Sequence, residues 1–357
     1  MSDLPKRMKA VVAYKKGDYR LEEVDVPRAG EKELIIKVEA CGVCAGDLKA
    51  YGGAPSFWGG EGSPPYIKAP MIPGHEFLGE VVEVGEGSEG FSIGDRVVSE
   101  QIVPCGECRY CREGSYWMCQ KHDVYGFQYN VNGGMAEYMR LPKEAINYKI
   151  SKELPLEKAV LIEPFACSKH CVDRAQIKEG DIVVLSGAGT LGLGMIAPIK
   201  MKKSGKLIVL DLMGDRLELA AKFGADIVLN PAKDDLAGIV DKLTDGYGCD
   251  VYIEATGHPA SVQQGLQIIR KMGTFVEFSV FKDMVVADWS IISDRKELNL
   301  YGAHLSPDSY PDVIRWISDG TMPTEGVVTH KFTLDKWKDA FDVAAKGAGS
   351  IKVIIVP

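Results

Sequence analysis

Four cysteines fall within a short stretch of the chain: Cys105, Cys108, Cys111 and Cys119. The spacing C-x2-C-x2-C-x7-C gathers four sulfurs in one small lobe. Four thiolates can close a tetrahedron around zinc and leave no position open for a substrate, so the expected metal is structural. An iron–sulfur cluster accepts similar spacing, but a dinucleotide-binding pattern elsewhere in the chain makes zinc the expected ion. A second set of donors is dispersed: Cys44 in EACGVCAGD, His75 and Glu76 in PGHE, and Glu163 in LIEPF. One thiolate, one imidazole and one carboxylate would be three protein ligands with a fourth position open, the form of a catalytic zinc site. Singly, each has an ordinary reading. Cys44 would be a packed small hydrophobe, His75 a turn residue and Glu163 a helix-start acid. Their joint occurrence points to metal.

The third feature is the run Gly187-Ala188-Gly189-Thr190-Leu191-Gly192, after an apolar strand and before a helix. The first glycine allows the tight turn, the second lets backbone approach a pyrophosphate, and the third permits close helix–strand packing. The helix N-terminus adds donors and positive potential. An acid, Asp211, ends the next strand, placed to accept bonds from ribose hydroxyls and to repel a 2′-phosphate. Met213 and Gly214 follow it rather than an arginine, which favours NAD over NADP. A nucleotide-free doubly wound domain is the ordinary alternative.

Such residues need elements to hold them. Up to about residue 155, β-branched runs such as 9–14, 33–40, 79–85 and 95–100 are bounded by turn residues, as in a β-rich barrel-like domain. The stretch 51–73 is rich in Gly, Pro and aromatics without periodicity and reads as a surface or substrate-facing loop. From about 156, apolar strands (181–186, 206–211, 225–230, 250–255, 274–279) alternate with helical stretches (214–224, 258–273). Nearly all-apolar strands alternating with helices mean a parallel sheet covered on both faces. Pro198 inside the helix after the glycine turn is expected to kink it. From about 298 the alternation stops, leaving a helix over 310–319 and a closing strand over 351–356. The expected fold is α/β: a β-rich domain of residues 1–155 and 298–357, with a doubly wound parallel-sheet domain, 156–297, inserted in it.

Composition bounds the function. A chain of 357 residues, 46% hydrophobic and 26% charged, can bury two sizeable cores. A net charge of −8 argues against nucleic acid and anionic membranes as partners. No apolar run nears the ~18 residues of a membrane span, and no secretory signal is visible. Nine cysteines, four of them clustered, fit a reducing, cytoplasmic setting better than a disulfide framework.

In order along the chain, CGVCxxD, PGHE, GDRVV, the four-cysteine lobe, GGMAEY, GAGTLG and IKVIIVP resemble the zinc-containing medium-chain dehydrogenases over essentially the full length. The resemblance implies a GroES-like catalytic domain with an inserted Rossmann domain, NAD as cofactor, and two zinc ions per chain, one catalytic and one structural. It implies Cys44 and His75 as catalytic zinc ligands, with Glu76, Glu163, or each at different stages providing the third. Glu163 in IEP resembles the polyol branch. FWGGEG, SEQIVPC, CQKHDVYGF, DWSIISDRKEL and GAHL are similar to bacterial erythritol/L-threitol dehydrogenases. The implied substrate is a small acyclic polyol oxidised to a ketose, with 2,3-butanediol, threonine and longer polyols as alternatives. By position in these segments, Tyr51, Trp58, Phe127 and His304 are candidate substrate contacts. Many relatives place Ser or Thr two residues after the zinc cysteine to begin a proton relay, and often His three residues further on. Here the positions hold Gly46 and Lys49, so the proton is expected to leave through Glu163 and water, or through a ribose hydroxyl to Lys49. Relatives are often dimers or tetramers, so a homo-oligomer is expected. A non-catalytic NAD-binding protein is the alternative of a different class.

Overall fold

The computed structural model describes residues 4–60, 62, 64–282 and 284–357. Glu61, within the FWGGEG segment, lies outside them. The chain divides into two compact units. One comprises Met1–Glu163, Tyr310–Ser318 and Val328–Pro357; the other comprises Pro164–Ser309 and Asp319–Val327.

In the first unit the strand Leu34–Gly42 organises the sheet. It pairs antiparallel with Glu76–Val84, Tyr138–Leu141 and Lys352–Val356. Arg96–Ser99 and Asn147–Lys149 extend one side, and Val328–Thr333 lies parallel to Lys352–Val356 on the other. Leu34, Ile35 and Ile36 are buried on this strand, so both sides of its pleat are covered and its register is fixed. That register decides the chemistry: Gly42 faces Glu76 on one neighbour and Ile354 on the other. A one-residue slip would turn those side chains to the opposite face.

The second unit holds a six-stranded parallel sheet in the order Ile227–Leu229, Lys206–Leu210, Ile182–Ser186, Cys249–Glu254, Ile269–Glu277, Asn299–Gly302. Counted within the unit this is 3-2-1-4-5-6, the doubly wound order, with its reversal between Ile182–Ser186 and Cys249–Glu254. The expected apolar strands form this sheet, and the helix Gly214–Phe223 ends on Gly224 in the left-handed conformation (φ 111°).

Two expectations change. The helix expected over 258–273 ends at Ile268, and Ile269–Glu277 is strand. The stop comes from afar: Lys296 Nζ donates to the carbonyls of Leu266 (2.8 Å), Gln267 (2.8 Å) and Ile269 (2.6 Å). Second, the alternation continues past 298. Asn299–Gly302 pairs parallel with Thr274–Glu277, and the chain returns to the first unit at Tyr310. These four residues form an outer strand with little buried surface, so no apolar run announces them. The helix Thr190–Met201 contains Pro198, which removes one backbone donor as expected.

Tyr310, fully buried on the returning helix Tyr310–Ser318, donates its hydroxyl to the Ser99 carbonyl at 2.8 Å. Tyr310→Phe is expected to cost about 1–2 kcal/mol by depriving a buried carbonyl of this donor, measured by denaturant unfolding.

Candidate metal centres and the dinucleotide turn

The four-cysteine lobe spans a short helix, Arg109–Arg112, and a 3-10 turn, Tyr116–Met118. The sulfurs of Cys105 and Cys111 lie 4.0 Å apart, those of Cys108 and Cys111 3.5 Å, and those of Cys108 and Cys119 4.0 Å. A regular tetrahedron with zinc–sulfur bonds of about 2.3 Å has edges of about 3.8 Å, so the sulfurs already stand at ligating separations. Backbone N–H groups of Cys105, Cys108 and Gln120 point at Cys119, Cys105 and Cys108 sulfurs respectively. The Gln120 and Cys111 N–H groups pull the Cys108 thiol down to about 6, while burial pushes Cys111 up to about 12. A cation is what would let all four ionise together. The lobe is tied down by Glu100, a buried carboxylate that accepts from the hydroxyls of Tyr116 (3.0 Å) and Tyr148 (2.8 Å).

Three of the four dispersed donors also converge, and Glu163 is not in that cluster. The ligand atoms of Cys44, His75 and Glu76 lie within 4.8 Å of one another. Cys44 caps the helix Ala45–Tyr51: its sulfur accepts from Gly46 N–H, and Asp47 Oδ2 accepts from Cys44 N–H at 2.9 Å. The other oxygen, Asp47 Oδ1, sits 3.9 Å from His75 Nδ1, and both atoms are buried without a hydrogen-bond partner. Buried polar atoms facing one another unsatisfied in an anionic donor set fit a site completed by a cation. Burial opposes a charge on His75, but Cys44, Asp47 and Glu163 outweigh it and hold its proton well above the usual range.

Glu76 reaches this cluster because Gly42 has no side chain: a Cβ there would lie 2.0 Å from Glu76 Oε2. Its carboxylate accepts from Lys352 Nζ at 2.8 and 2.6 Å, and Lys352 also donates to the Val43 carbonyl at 3.1 Å. Both partners are buried, at 2% and 4% exposure. Burial works against the ammonium, but Glu76 and Cys44 keep it charged. Glu163, in the first turn of the helix Ile162–Arg174, is buried and accepts from Gln101 Nε2 at 2.6 Å. Asp47, Gln101 and Lys352 were not singled out from sequence. Lys352 lies 276 positions from Glu76 and Gln101 lies 62 from Glu163, so no local pattern could reveal them.

The substrate candidates separate. Phe127 is buried with its ring centroid 5.3 Å from that of His75, and it stacks on Phe57 at 5.3 Å. Trp58 donates its indole N–H to the Ala50 carbonyl at 2.7 Å. Tyr51 packs edge-on against Tyr19, Trp337 and Phe341 at 5.0, 5.9 and 5.7 Å, the environment of a core aromatic. Lys49 lies half-buried in the last turn of Ala45–Tyr51. His304 is exposed and belongs to the second unit.

In the second unit the glycine turn sits at the sheet's reversal. Gly187 has φ 110°, and a Cβ there would lie 2.9 Å from the Ala255 carbonyl oxygen. A Cβ at 192 would lie 1.9 Å from the Gly187 carbonyl oxygen, whereas at Gly189 it would meet nothing within 4 Å. The turn is thus closed on two sides and open at its middle glycine, which caps the helix of Thr190 and Leu191 with no side-chain bond to its N–H groups. A helix start without a side-chain cap, beside open space at Gly189, fits a pyrophosphate. Asp211 accepts from Ala188 N–H at 2.8 Å and Met213 N–H at 2.9 Å. Arg216 stands 3.9 Å from it, brought there by the helix Gly214–Phe223.

A doubly wound dinucleotide sheet joined to a β-rich unit with a mixed sulfur–nitrogen–oxygen donor set defines a metal-dependent nicotinamide oxidoreductase. Residues 30–152 match the alcohol dehydrogenase GroES-like domain and residues 190–319 the zinc-binding dehydrogenase domain. The erythritol/L-threitol dehydrogenase of Mycolicibacterium smegmatis is 49% identical, over 100% of this chain and 99% of its own. An L-threonine 3-dehydrogenase of Pyrococcus horikoshii is 37% identical, over 96% and 97%. Among solved structures, an Escherichia coli alcohol dehydrogenase complexed with NADH superposes with a TM-score of 0.87 at 27% identity, covering 99% of this chain and 100% of its own. A zinc-binding dehydrogenase of Sinorhizobium meliloti bound to NADP gives the same TM-score, identity and coverage. The chain belongs to the zinc-binding, medium-chain alcohol dehydrogenase family.

Lys352→Met keeps most of the side-chain volume but leaves the Glu76 charge buried without its cation. It is expected to destabilise the metal-free protein by about 3–5 kcal/mol, read from denaturant midpoints. The raised His75 pKa gives a second expectation. Below its folded pKa the charged imidazole stabilises the metal-free fold, and that contribution is lost as pH rises through it. Zinc must displace the same proton, so uptake at this site should weaken as pH falls from 8 to 6, measured by competition with a chromogenic chelator.

Proposed function

We propose that this enzyme uses NAD and a catalytic zinc to oxidise one secondary hydroxyl of a small acyclic polyol, of the erythritol or L-threitol type, to the ketose. The observation that carries the reading is the full-length 49% identity to a dehydrogenase of those substrates, in a chain whose Cys44, His75 and Glu76 donors converge. Cys44 and His75 would hold the catalytic zinc, with Glu76 or Glu163 as third ligand; Cys105, Cys108, Cys111 and Cys119 would hold a second, structural zinc.

When bound, zinc supplies a Lewis acid for the alcohol oxygen and the nicotinamide ring accepts the hydride. The chain's own residues do the rest. Lys352 balances Glu76, so that carboxylate contributes little net charge beside the thiolate. Phe127 and Phe57 form an apolar wall next to His75 and Gly46 that keeps water from that side. With no hydroxyl at Gly46, Glu163 is the proton acceptor we favour, because it is a buried carboxylate whose field is felt at His75. Lys49 is the alternative route. Asp211 supports NAD, since a carboxylate at the ribose repels a 2′-phosphate, although Arg216 stands beside it.

Thiols that must remain reduced to hold metal support a cytoplasmic setting. No helix of the described residues is long and apolar enough to cross a membrane. Met284, Val286 and Trp289 are 94%, 81% and 70% exposed, and the outer strand Asn299–Gly302 borders the sheet. Apolar surface of that extent supports a homo-oligomer.

The test combines zinc content with NADH formation across erythritol, both threitols, pentitols, 2,3-butanediol and L-threonine, with NAD and then NADP. Two zincs per chain and strongest turnover of a four-carbon polyol with NAD are expected. Preference for threonine or butanediol would overturn the substrate; one zinc and no turnover would overturn the enzyme reading.

A further inference from the structure

The strand Cys249–Glu254 ends, at the reversal of the parallel sheet, on a glutamate with 0% exposure. Its register partner is Ser186, the residue before the glycine turn. Three donors reach Glu254 Oε1: Thr256 N–H at 2.8 Å, Gly257 N–H at 3.2 Å and the Thr256 hydroxyl. Gly257 N–H also lies 3.2 Å from Oε2. An ionised carboxylate only accepts, and every partner here is a donor. Among the described residues no Lys, Arg or His forms an ion pair with it; its partners are Thr256 and Gly257. Glu76 is matched by the ammonium of Lys352, whereas Glu254 receives dipoles only, and no opposite charge cancels it at contact. Burial raises the Tyr252 hydroxyl and the Cys171 thiol, and the Glu254 charge, joined at Cys171 by that of Glu277, adds to this.

The turn that holds this carboxylate abuts the glycine turn. A Cβ at Gly187 would lie 2.9 Å from the Ala255 carbonyl oxygen and 3.1 Å from Thr256 Cγ2. In doubly wound sheets the ligand lies outside the carboxyl ends of the strands at this reversal. The strand order sorts the two halves of a dinucleotide whose pyrophosphate sits at Gly187–Gly192. Asp211, the acid for the adenosine ribose, follows Lys206–Leu210, which flanks Ile182–Ser186 on one side. Cys249–Glu254 flanks it on the other, so the nicotinamide half extends toward the side of Glu254. That half alone changes charge in the reaction, since the ring is cationic when oxidised and neutral when reduced.

We propose that Glu254 biases the cofactor site toward the oxidised dinucleotide. Its buried carboxylate, without a cation partner, favours the cationic ring over the neutral one, while its hydrogen bonds hold the Thr256–Gly257 turn beside Gly187. Fully buried under a turn whose Thr256 is exposed, it acts by its field and not by contact. The inference rests on NAD as the cofactor, as argued under Proposed function, and adds a preference between its two redox forms.

The experiment measures equilibrium binding to the zinc-loaded enzyme without polyol, NADH by its fluorescence and NAD by displacement of NADH. Wild type, Glu254→Gln and Thr256→Val are compared. Glu254→Gln keeps an oxygen for the donors at Oε1 and removes the charge. It should weaken NAD by about 5–30-fold, the scale of one unit charge across a partly buried crevice, and leave NADH within about twofold. Thr256→Val keeps the charge and removes one donor, so any loss should fall on both forms alike. Equal weakening of NAD and NADH in Glu254→Gln would overturn the inference, because a merely structural role moves both. So would an unchanged ratio, or a ratio altered as much by Thr256→Val. Wild-type protein that binds neither form, or binds NADP instead, would overturn the cofactor reading and this inference with it. If Glu254→Gln fails to fold, Glu254→Ser, which leaves room for water at the released N–H groups, carries the same comparison.

Discussion

A buried carboxylate needs a partner, and Lys352 meets that need for Glu76 with a full opposite charge. Cys44, Asp47, Glu76 and Glu163 all bear on this region. Burial raises the pKa of Asp47, which is how an interior resists unmatched charge. Part of the balance comes from Lys352, and a cation held by these donors would supply the rest. Removing either partner of a buried pair costs far more than the pair contributes, because the survivor stays desolvated.

This constraint reaches into chain topology. Glu76 comes from the strand after the first loop, while Lys352 comes from the last strand of the chain. Both must pair with Leu34–Gly42 in register, so the metal-binding unit cannot be completed until the C-terminal segment has returned. The second unit is therefore an insertion that begins after Glu163. Its own function is set by short-range geometry instead: Gly187, Gly189 and Gly192 act within six residues, and Asp211 reaches back to the same turn through Ala188. One site depends on contacts hundreds of residues apart, the other on a single strand–turn–helix unit.

That contrast explains what could be read from the sequence. The glycine turn was legible because its three constraints are local. The cysteine lobe was legible for the same reason, since metal geometry requires four sulfurs within a few ångströms and the chain supplies them almost consecutively. The parallel sheet announced itself through all-apolar strands, but its outer strand Asn299–Gly302 buries too little to carry that signature. The end of the helix at Ile268 was hidden because its stop is the amine of Lys296, not a glycine or proline nearby. In the metal-binding unit the donors Cys44, His75, Glu76 and Glu163 could be named only because a family pattern joined them. Asp47, Gln101 and Lys352, which orient or balance those donors, are polar residues in apolar surroundings. Nothing in the immediate neighbours of Gln101 and Lys352 distinguishes them from surface residues, and Asp47 entered only as the acid of CGVCxxD. Tyr51, named by its position in a segment similar to relatives, also packs edge-on against Trp337 and Phe341, contacts that its neighbours in sequence do not announce.

Gly46 remains the departure with most bearing on chemistry, and its surroundings limit the explanations. A Cβ at 46 would stand 3.7 Å from Cys44 Sγ, 3.8 Å from Phe127 Cζ and 3.9 Å from Phe57 Cζ. These are ordinary contact distances, and the residue lies in a right-handed helix with no positive φ, so neither backbone strain nor a clash requires glycine there. What the missing side chain provides is space beside the thiolate, bounded by two stacked rings. A hydroxyl there would offer a proton path, but it would also occupy volume next to the metal donors. Leaving the volume empty keeps that space open against the Cys44 sulfur. Glu163 is a buried carboxylate whose field reaches the His75 imidazole, and its Oε1 accepts from Gln101 Nε2 at 2.6 Å. The space at Gly46 and the buried carboxylate of Glu163 thus bear on one polar region, in which the volume beside Cys44 and part of the charge felt at His75 come from different elements.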